Sequence, residues 1–245
     1  MIDLKIRDEF LSKGFVTISN FFTEEEYTLI LRYVEKWINQ NISNALDDTS
    51  SVFLPINKLN TYHNFILEKK INHSKVASAK YRYVEPPKDI VSIIQKDLLF
   101  EYLKSFTDTS QFTRWQDPGF GWLGYRLIRA SSNDGYPPSC KNWGAASEVY
   151  SIWLPINGCT KLSTIRFLPG SHKKEYKNYL PEDSKFTKGE LRLNENIPED
   201  QYYRPNPKPR DIIIYHPATI HSEDSEDKVN TRLNLEYRFR PNYES

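Results

Sequence analysis

Cysteine is scarce in this chain of 245 residues: Cys140 and Cys159 lie far apart and form no CxxC pair. A zinc site or a disulfide framework needs more numerous or more closely spaced cysteines, so the sequence argues against both. The two residues are therefore expected to be free thiols, as in a cytoplasmic protein.

Long apolar runs and an excess charge of one sign are also missing. No run approaches the ~18 apolar residues of a membrane span, and MIDLKIRDEFLSKGF lacks the apolar core of a signal peptide. With 33 basic and 32 acidic residues the net charge is +1. We therefore expect a soluble, cytoplasmic protein with neither a membrane nor a nucleic acid as partner.

Several catalytic motifs are absent as well. The sequence contains no GxSxG elbow, P-loop or GxGxxG fingerprint. Cys140 lies beside Lys141, which would lower the pKa of its thiol, but no general-base partner can be identified. Serine hydrolase, nucleotide-binding and thiol chemistries therefore have little support.

Aromatic residues are abundant at 14%, which favours a packed fold over a disordered chain. Residues 1–111 have mainly helical patterns and residues 112–245 mainly strand patterns. No linker divides them, so we predict one α+β domain over residues 1–245.

The helical part opens with a short β-prone run, Phe15 to Ile18. Thr23 is a predicted N-cap, because three glutamates follow it in the first turn of a helix with apolar residues at helical spacing. The stretch PKDIVSIIQKDLLFEYLKSF predicts a second helix.

The second part contains five β-prone stretches separated by Gly, Pro, Asn and Asp: GWLGYRLIR, SEVYSIWLPI, LSTIRFLPG, RDIIIYHPA and TRLNLEYRFR. The last alternates cleanly. Leu233, Leu235, Tyr237 and Phe239 face one way, whereas Arg232, Asn234, Glu236, Arg238 and Arg240 face the other. These runs favour a sandwich or barrel.

The chain has five histidines, and three of them are candidates for an iron site of two histidines and one carboxylate. His221 is the best placed because a strand with one polar face follows it, but its HxE spacing to Glu223 is expected by chance in an acidic run. His216 follows an apolar run and is either packed or exposed. His172 follows the LPGS turn, where its ring is expected to bond turn backbone.

Arg232 opens the last strand, eleven residues after His221. An arginine fork suits a bidentate grip on a carboxylate. The alternative is an ordinary salt bridge to Glu223, Asp224 or Asp227, and spacing alone leaves both interpretations open.

Four stretches, in this order, resemble the phytanoyl-CoA dioxygenase-like branch of the Fe(II)/2-oxoglutarate-dependent oxygenases. They are FLSKGFVTISNFFTEEEYTLI, GYRLIRA, SIWLPINGCTKLSTIRFLPGSHKKEY and HSEDSEDKVNTRLNLEYRF. The resemblance implies a double-stranded β-helix (jelly-roll, cupin-like) core with the N-terminal helices packed on one sheet. It also implies that His221 is the distal iron ligand, that Arg232 holds the 2-oxoglutarate carboxylate, and that His172 is a turn residue.

The sequence departs from this family at the HxD motif, which would follow GYRLIRA and supply two iron ligands. Here the chain has SSNDGYPPSCKNWG. One alignment puts Ser139–Cys140–Lys141 on the motif, and the other puts Ser132–Asn133–Asp134 there. Either way a serine replaces the first histidine, which predicts weak binding of Fe(II). In the first alignment the Lys141 ammonium replaces the metal's charge and joins Arg232 in binding a carboxylate.

Two hypotheses therefore stand. In the first, the iron site is degenerate, and the protein binds a small polar ligand, with 2-oxoglutarate a candidate, as a metal-independent enzyme or a non-catalytic partner. In the second, it is a working oxygenase with an altered triad of His221, Asp134 and His216. A pure interaction module has no positive support.

The predicted pocket lining is Tyr125, Arg126, Trp143 and Trp153. The abundance of aromatic residues and a loose likeness to polysaccharide-locus members favour a small-molecule substrate linked to a sugar. The sequence does not indicate the oligomeric state.

Overall fold

The computed structural model describes residues 3–46, 52–107, 109–115, 121–136, 138, 149–179 and 192–242. Lys141 and Trp143, and with them the Ser139–Cys140–Lys141 alternative, lie outside the described residues. Within the described ranges, no helix is both long enough and apolar enough to cross a membrane.

The chain begins with helix α1 (Leu4–Lys13), strand β1 (Phe15–Ile18) and helix α2 (Glu24–Ala45). The predicted cap of α2 is confirmed: the Thr23 side chain accepts from the Glu26 backbone N–H, and the Glu26 carboxylate accepts from that of Thr23. Such a cap stabilises a helix by about 1 kcal/mol. One face of α2 is buried against the sheet and the other helices, through Ile30, Val34, Trp37, Ile38 and Ile42.

Short helical elements follow α2. They are a 3₁₀ helix (Ile56–Thr61), α3 (Tyr62–Glu68), α4 (His73–Val76), α5 (Ala79–Arg82), α6 (Lys88–Ile94) and α7 (Asp97–Phe106), with strand β2 (Tyr83–Val84) between α5 and α6. The second helix expected from sequence is therefore two helices. Lys96 is extended between them, and its ammonium contacts the Glu26 carboxylate at 2.7 Å. A tertiary ion pair thus accompanies a break that helical periodicity does not predict.

The strands are β3 (Phe112–Trp115), β4 (Leu123–Ile128), β5 (Tyr150–Asn157), β6 (Arg166–Phe167), β7 (Asn178–Tyr179), β8 (Arg192–Leu193), β9 (Ile212–Tyr215), β10 (His221–Ser222) and β11 (Arg232–Pro241). A seven-stranded antiparallel sheet has the order β1-β9-β5-β11-β4-β2, with β3 on the C-terminal end of β11. Two small sheets, β10-β6 and β7-β8, complete the described strands. The five predicted β-prone stretches all contain strands, so the α+β assignment is confirmed as a mixed helical and antiparallel-sheet fold.

Strand β11 is buried on both faces. Leu233, Leu235, Tyr237 and Phe239 pack in the main core with the helices. The alternate residues Arg232, Asn234, Glu236 and Arg238 are also buried, and only Arg240 of that row is exposed. The alternation predicted from sequence therefore separates an apolar core from a buried polar layer.

The β10-β6 pair covers this polar face of the large sheet. A second apolar cluster joins the two layers, and it contains Phe15, Trp153, Ile165, Phe167, Ile213 and Tyr215. The Phe167 ring of β6 lies 5.3 Å from the Tyr215 ring of β9, measured between centroids. The polar residues of β11 thus face an enclosed space between two sheets.

The turn after β5 fixes where β11 begins. Gly158 has φ +65°, and a Cβ there would lie 1.9 Å from the Thr231 carbonyl oxygen, next to Arg232. Gly170 has φ +76°, but the nearest atom to its Cβ position is 3.6 Å away. The two glycines therefore share backbone strain and differ in steric clash.

We expect Gly170→Ala to lower the free energy of unfolding by about 1–2 kcal/mol, the cost of a left-handed non-glycine residue. Gly158→Ala should lower it by more, because the Thr231 carbonyl must also move. Chemical denaturation of the two variants measures the difference. Equal losses would show that the close approach at Thr231 does not constrain the start of β11.

Candidate functional site

His221 begins strand β10 and points its ring toward the buried face of the large sheet. Its Nδ1 lies 2.8 Å from the Thr219 carbonyl oxygen, which can only accept, so Nδ1 carries the proton and Nε2 has a lone pair. The ring centroid is 4.8 Å from that of Tyr215. Burial lowers the pKa of His221, so the ring is neutral at physiological pH. Its Nε2 is therefore chemically able to bind a cation or accept a proton.

Arg232 has no exposed surface. One guanidinium nitrogen, Nη1, donates to the Ser163 carbonyl, whereas Nε and Nη2 have no hydrogen-bond partner among the described residues. The guanidinium lies 5.9 Å from the Trp153 ring centroid, and the Trp153 indole N–H also lacks a partner. Buried donors without partners cost about 1–3 kcal/mol each, so this group of N–H donors is suited to an acceptor from outside the chain.

The salt-bridge interpretation of Arg232 is not realised among the described residues, because its three candidate acids have other partners. Glu223 lies 3.4 Å from the Arg126 guanidinium. Asp224 pairs with Arg166 and Arg204. Asp227 accepts from Thr160 and from backbone N–H groups of its own loop. The Arg232 charge is thus not neutralised by direct contact with any of these acids.

Cys159 lies beside Arg232. Its thiol contacts the Leu233 carbonyl oxygen at 3.4 Å, and burial raises its pKa to about 12 even though the Arg232 charge opposes that shift. The residue is therefore a neutral free thiol, as expected from the sequence.

Four charged side chains next to His221 form a buried ion cluster: Arg126, Glu223, Glu236 and Arg238. The Arg126 Nε is 3.3 Å from one Glu236 oxygen, and Arg238 donates to the other. Each residue is at most 9% exposed. The two glutamates tend to raise the pKa of His221 and Arg238 tends to lower it, which places the ring in the field of this cluster. Sequence reasoning identified Arg126 but missed the roles of Glu236 and Arg238, although their alternation was visible.

The described residues do not fit an iron centre. Such a site needs two histidines and a carboxylate converging on one point. In the described part of the chain, no group of three or more His, Cys, Asp or Glu side chains could hold a metal ion. Beside His221, both carboxylates are instead paired with arginines.

The structure does not bring Asp134 and His216 together with His221 as a ligand set. Asp134 accepts from the Arg129 guanidinium at 2.7 and 2.8 Å and lies 3.5 Å from the His73 ring. Burial raises the pKa of Asp134, but the bonds from Arg129 outweigh it and lower the pKa to about 2. His216 accepts from the Ala218 N–H through Nδ1, and burial lowers its pKa to about 4.

The predicted pocket residues lie on different sides of the sheet. Arg126 and Trp153 are on its polar face. Tyr125 requires a correction: its hydroxyl donates to the Val76 carbonyl at 2.6 Å, and its ring belongs to the helical core. Neighbouring residues of a strand point to opposite faces, so Tyr125 and Arg126 cannot line the same pocket.

The His172 ring lies 3.3 Å from the Leu11 carbonyl oxygen, in the 3₁₀ turn Ser171–Lys173. It therefore bonds the backbone of α1, near the LPGS turn, and not the backbone of the turn itself.

No protein-family model matches this chain, and neither does any curated protein. Solved structures do match over nearly its whole length. They include the non-haem α-ketoglutarate-dependent carbocyclase SnoK from nogalamycin biosynthesis (9% identity, 98% of this chain and 84% of that one, TM-score 0.60). EvdO2 from Micromonospora carbonacea var. aurantiaca matches at 14% identity, over 100% and 94%, with a TM-score of 0.59.

A third match is the epimerase SnoN, solved with Fe³⁺, α-ketoglutarate and nogalamycin RO (11% identity, 97% and 83%, TM-score 0.58). At such identities the similarity establishes the fold alone. The chain shares the mixed helical and antiparallel-sheet fold of these three proteins.

Replacing Glu236 with Gln leaves two buried guanidinium groups short of a carboxylate, so we expect the free energy of unfolding at neutral pH to fall by about 3–5 kcal/mol. Burial tends to raise the pKa of Glu236, but Arg238 and Arg126 lower it overall. Its stabilising effect is therefore present above the unfolded-state pKa of about 4.3 and is lost as the pH falls below that value. Chemical denaturation from neutral to acidic pH should show a weaker pH dependence in the variant.

The control is Glu199→Gln, since Glu199 is 75% exposed although it also contacts a buried arginine, Arg166. Arg166 keeps its second carboxylate partner, Asp224, and water can solvate the exposed Glu199 side, so this variant should resemble the wild type. Similar losses in the two variants would show that the buried cluster has no special role in stability.

Proposed function

We propose that this protein binds 2-oxoglutarate or a similar small dicarboxylate through Arg232, without iron, on a double-stranded β-helix related to the phytanoyl-CoA dioxygenase-like branch. The observation that carries the proposal is the buried Arg232 guanidinium, whose Nε and Nη2 have no partner. A carboxylate accepting from both nitrogens would satisfy two buried donors and one buried charge at once.

The surroundings of Arg232 support a planar anion. The Trp153 ring lies beside the guanidinium, and its unpartnered N–H offers a further donor. Glu223, which contributes most to holding the Arg232 charge, contacts Arg126 directly. A ligand carboxylate that binds Arg232 would therefore not have to displace Glu223 from a direct ion pair with Arg232. Lys141 would supply a second cation if the first alignment holds.

We exclude iron from the proposed site because the carboxylates next to His221 are paired with arginines. Arg126 lies against both Glu223 and Glu236, and Arg238 pairs with Glu236. Binding of a metal by Glu236 would therefore leave the buried Arg238 charge without its carboxylate. In such a pocket, the Nε2 lone pair of His221 is the group best suited to accept a proton from a bound substrate. The protein is then a metal-independent enzyme or a non-catalytic binding partner.

The alternative is an active Fe(II)/2-oxoglutarate-dependent oxygenase. One observation favours it: the Nδ1–H of His221 bonds a backbone carbonyl and leaves Nε2 bare, as is usual for metal-binding histidines. This alternative requires Asp134 to leave Arg129, and His216 to leave Ala218, or ligands outside the described residues.

The substrate is proposed to be a small molecule linked to a sugar. SnoN, a structural neighbour, was solved with nogalamycin RO, a small-molecule ligand, in addition to α-ketoglutarate. The Trp153 ring near Arg232 would suit a ring-shaped substrate.

We expect 2-oxoglutarate to bind the protein in the presence of EDTA, as measured by isothermal titration calorimetry. Arg232→Gln should weaken binding by about 10- to 100-fold, because it removes a charge-assisted double hydrogen bond. Arg232→Lys keeps the charge without the planar fork, so its affinity for 2-oxoglutarate should lie between those of the wild type and Arg232→Gln. The control is Arg114→Gln, which makes the same arginine-to-glutamine change at an exposed position.

Circular dichroism establishes that each variant is folded before binding is compared. Binding that appears only after anaerobic addition of Fe(II), together with a visible charge-transfer band and formation of succinate, would support the oxygenase instead. Binding in EDTA that survives Arg232→Gln would remove Arg232 from the site.

A further inference from the structure

We propose that a second site, formed by Arg82 and Arg126, binds an oxyanion carried by the substrate, either a carboxylate or a phosphate or sulfate ester. The site is the cavity between helices α4 and α5 and strand β4, called here the Arg82 pocket. The inference rests on the proposed function in one respect: the ligand of this pocket is taken to be the substrate that accompanies the dicarboxylate at Arg232.

The Arg82 pocket has a volume of about 520 Å³, enough for a small organic molecule. Its lining combines small or apolar residues with a few polar ones. The lining residues that matter here are Ala77, Ser78, Arg82, Arg126, Ile128 and Tyr136. Arg232 does not line it, so an anion in this pocket would be separate from one bound to Arg232.

Two buried polar atoms of the lining have no hydrogen-bond partner in the part of the chain that the structure describes. They are the Nε of Arg82 and the Oγ of Ser78. Ser78 precedes α5 but makes no side-chain capping bond. An N–H donor and a hydroxyl at one cavity, both desolvated and both unsatisfied, match the oxygens of an anion.

The charge of the pocket is positive. Arg82 forms no ion pair with any described carboxylate, and its guanidinium lies 5.0 Å from the Tyr83 ring centroid. The one carboxylate of the lining, Asp134, accepts from Nε and Nη2 of Arg129. Burial lowers the pKa of His73, which also lines the pocket, to about 4, so its ring is neutral. Among the charged groups that line the pocket, Arg82 is therefore the one without a described carboxylate partner.

The positive charge of the pocket also affects the pKa of Tyr136. Its hydroxyl lies 3.4 Å from Arg126 Nη1, and Arg126, followed by Arg82, lowers the pKa of the phenol against the effect of burial. Two guanidinium groups thus converge on one wall of the cavity. A ligand oxyanion placed there would be stabilised by both.

Arg126 also connects this pocket to the buried ion cluster beside His221. A substrate whose anionic group lies on Arg82 and Arg126 would therefore be held close to the His221 layer. Ala77 and Ile128 offer apolar contact to the rest of the molecule. The expected ligand has one anionic group on a compact, partly apolar body.

The test uses phenyl phosphate and benzoate as probes and benzyl alcohol as their neutral counterpart. We expect at least one of the two anions to bind the wild-type protein in calorimetry, while benzyl alcohol does not. Arg82→Gln should weaken anion binding at least about tenfold, and Ser78→Ala should weaken it less. The matched control is Lys80→Gln, which removes the same charge from the same helix but does not line the pocket. It should change binding less than about threefold.

The outcome is separable from that of the Arg232 proposal. Arg232→Gln should leave phenyl phosphate or benzoate binding unchanged, and Arg82→Gln should leave 2-oxoglutarate binding unchanged. Failure of both anions to bind, or equal losses in Arg82→Gln and Lys80→Gln, would overturn the second site. A loss of 2-oxoglutarate affinity in Arg82→Gln would also overturn it, because the two anion positions would then be one.

Discussion

The structure depends on strand β11 being buried on both faces while one face carries charge. Its apolar row packs with the helices, and its polar row, from Arg232 to Arg238, faces an enclosed layer. A buried charge without a partner is far more costly than any single hydrophobic contact is favourable. The polar row of β11 is accordingly neutralised by charged residues from other segments. Arg126 of β4 pairs with Glu236, and Glu223, from the segment after β10, lies against Arg126.

Local sequence signals predicted the features that depend on neighbours in the chain. The Thr23 N-cap and the alternation of Leu233 to Phe239 are set by residues within a few positions, and both were predicted. The break at Lys96 was not, because it coincides with a contact to Glu26, seventy positions earlier. The partners of Glu236 were missed for the same reason. Tyr125 was misplaced although a signal existed, since it shares its position in the alternation with the apolar Leu123 and Leu127.

The comparison with solved structures separates architecture from chemistry. At 9% and 14% identity, the chain still matches the folds of SnoK and EvdO2 over nearly its whole length. A shared backbone arrangement does not dictate which charges fill the buried polar layer. In the described part of this protein, arginine–glutamate pairs occupy the space around His221, and the fold tolerates them because they neutralise one another.

Cys159 gives the Arg232 region an internal reporter of motion. Its thiol is protonated at any ordinary pH and contacts the Leu233 carbonyl, so it is unreactive while the start of β11 stays in place. A thiolate forms more readily when this part of the sheet opens to water. The rate at which a thiol reagent modifies Cys159 would therefore measure how often the Arg232 layer opens, without any probe being introduced into the protein.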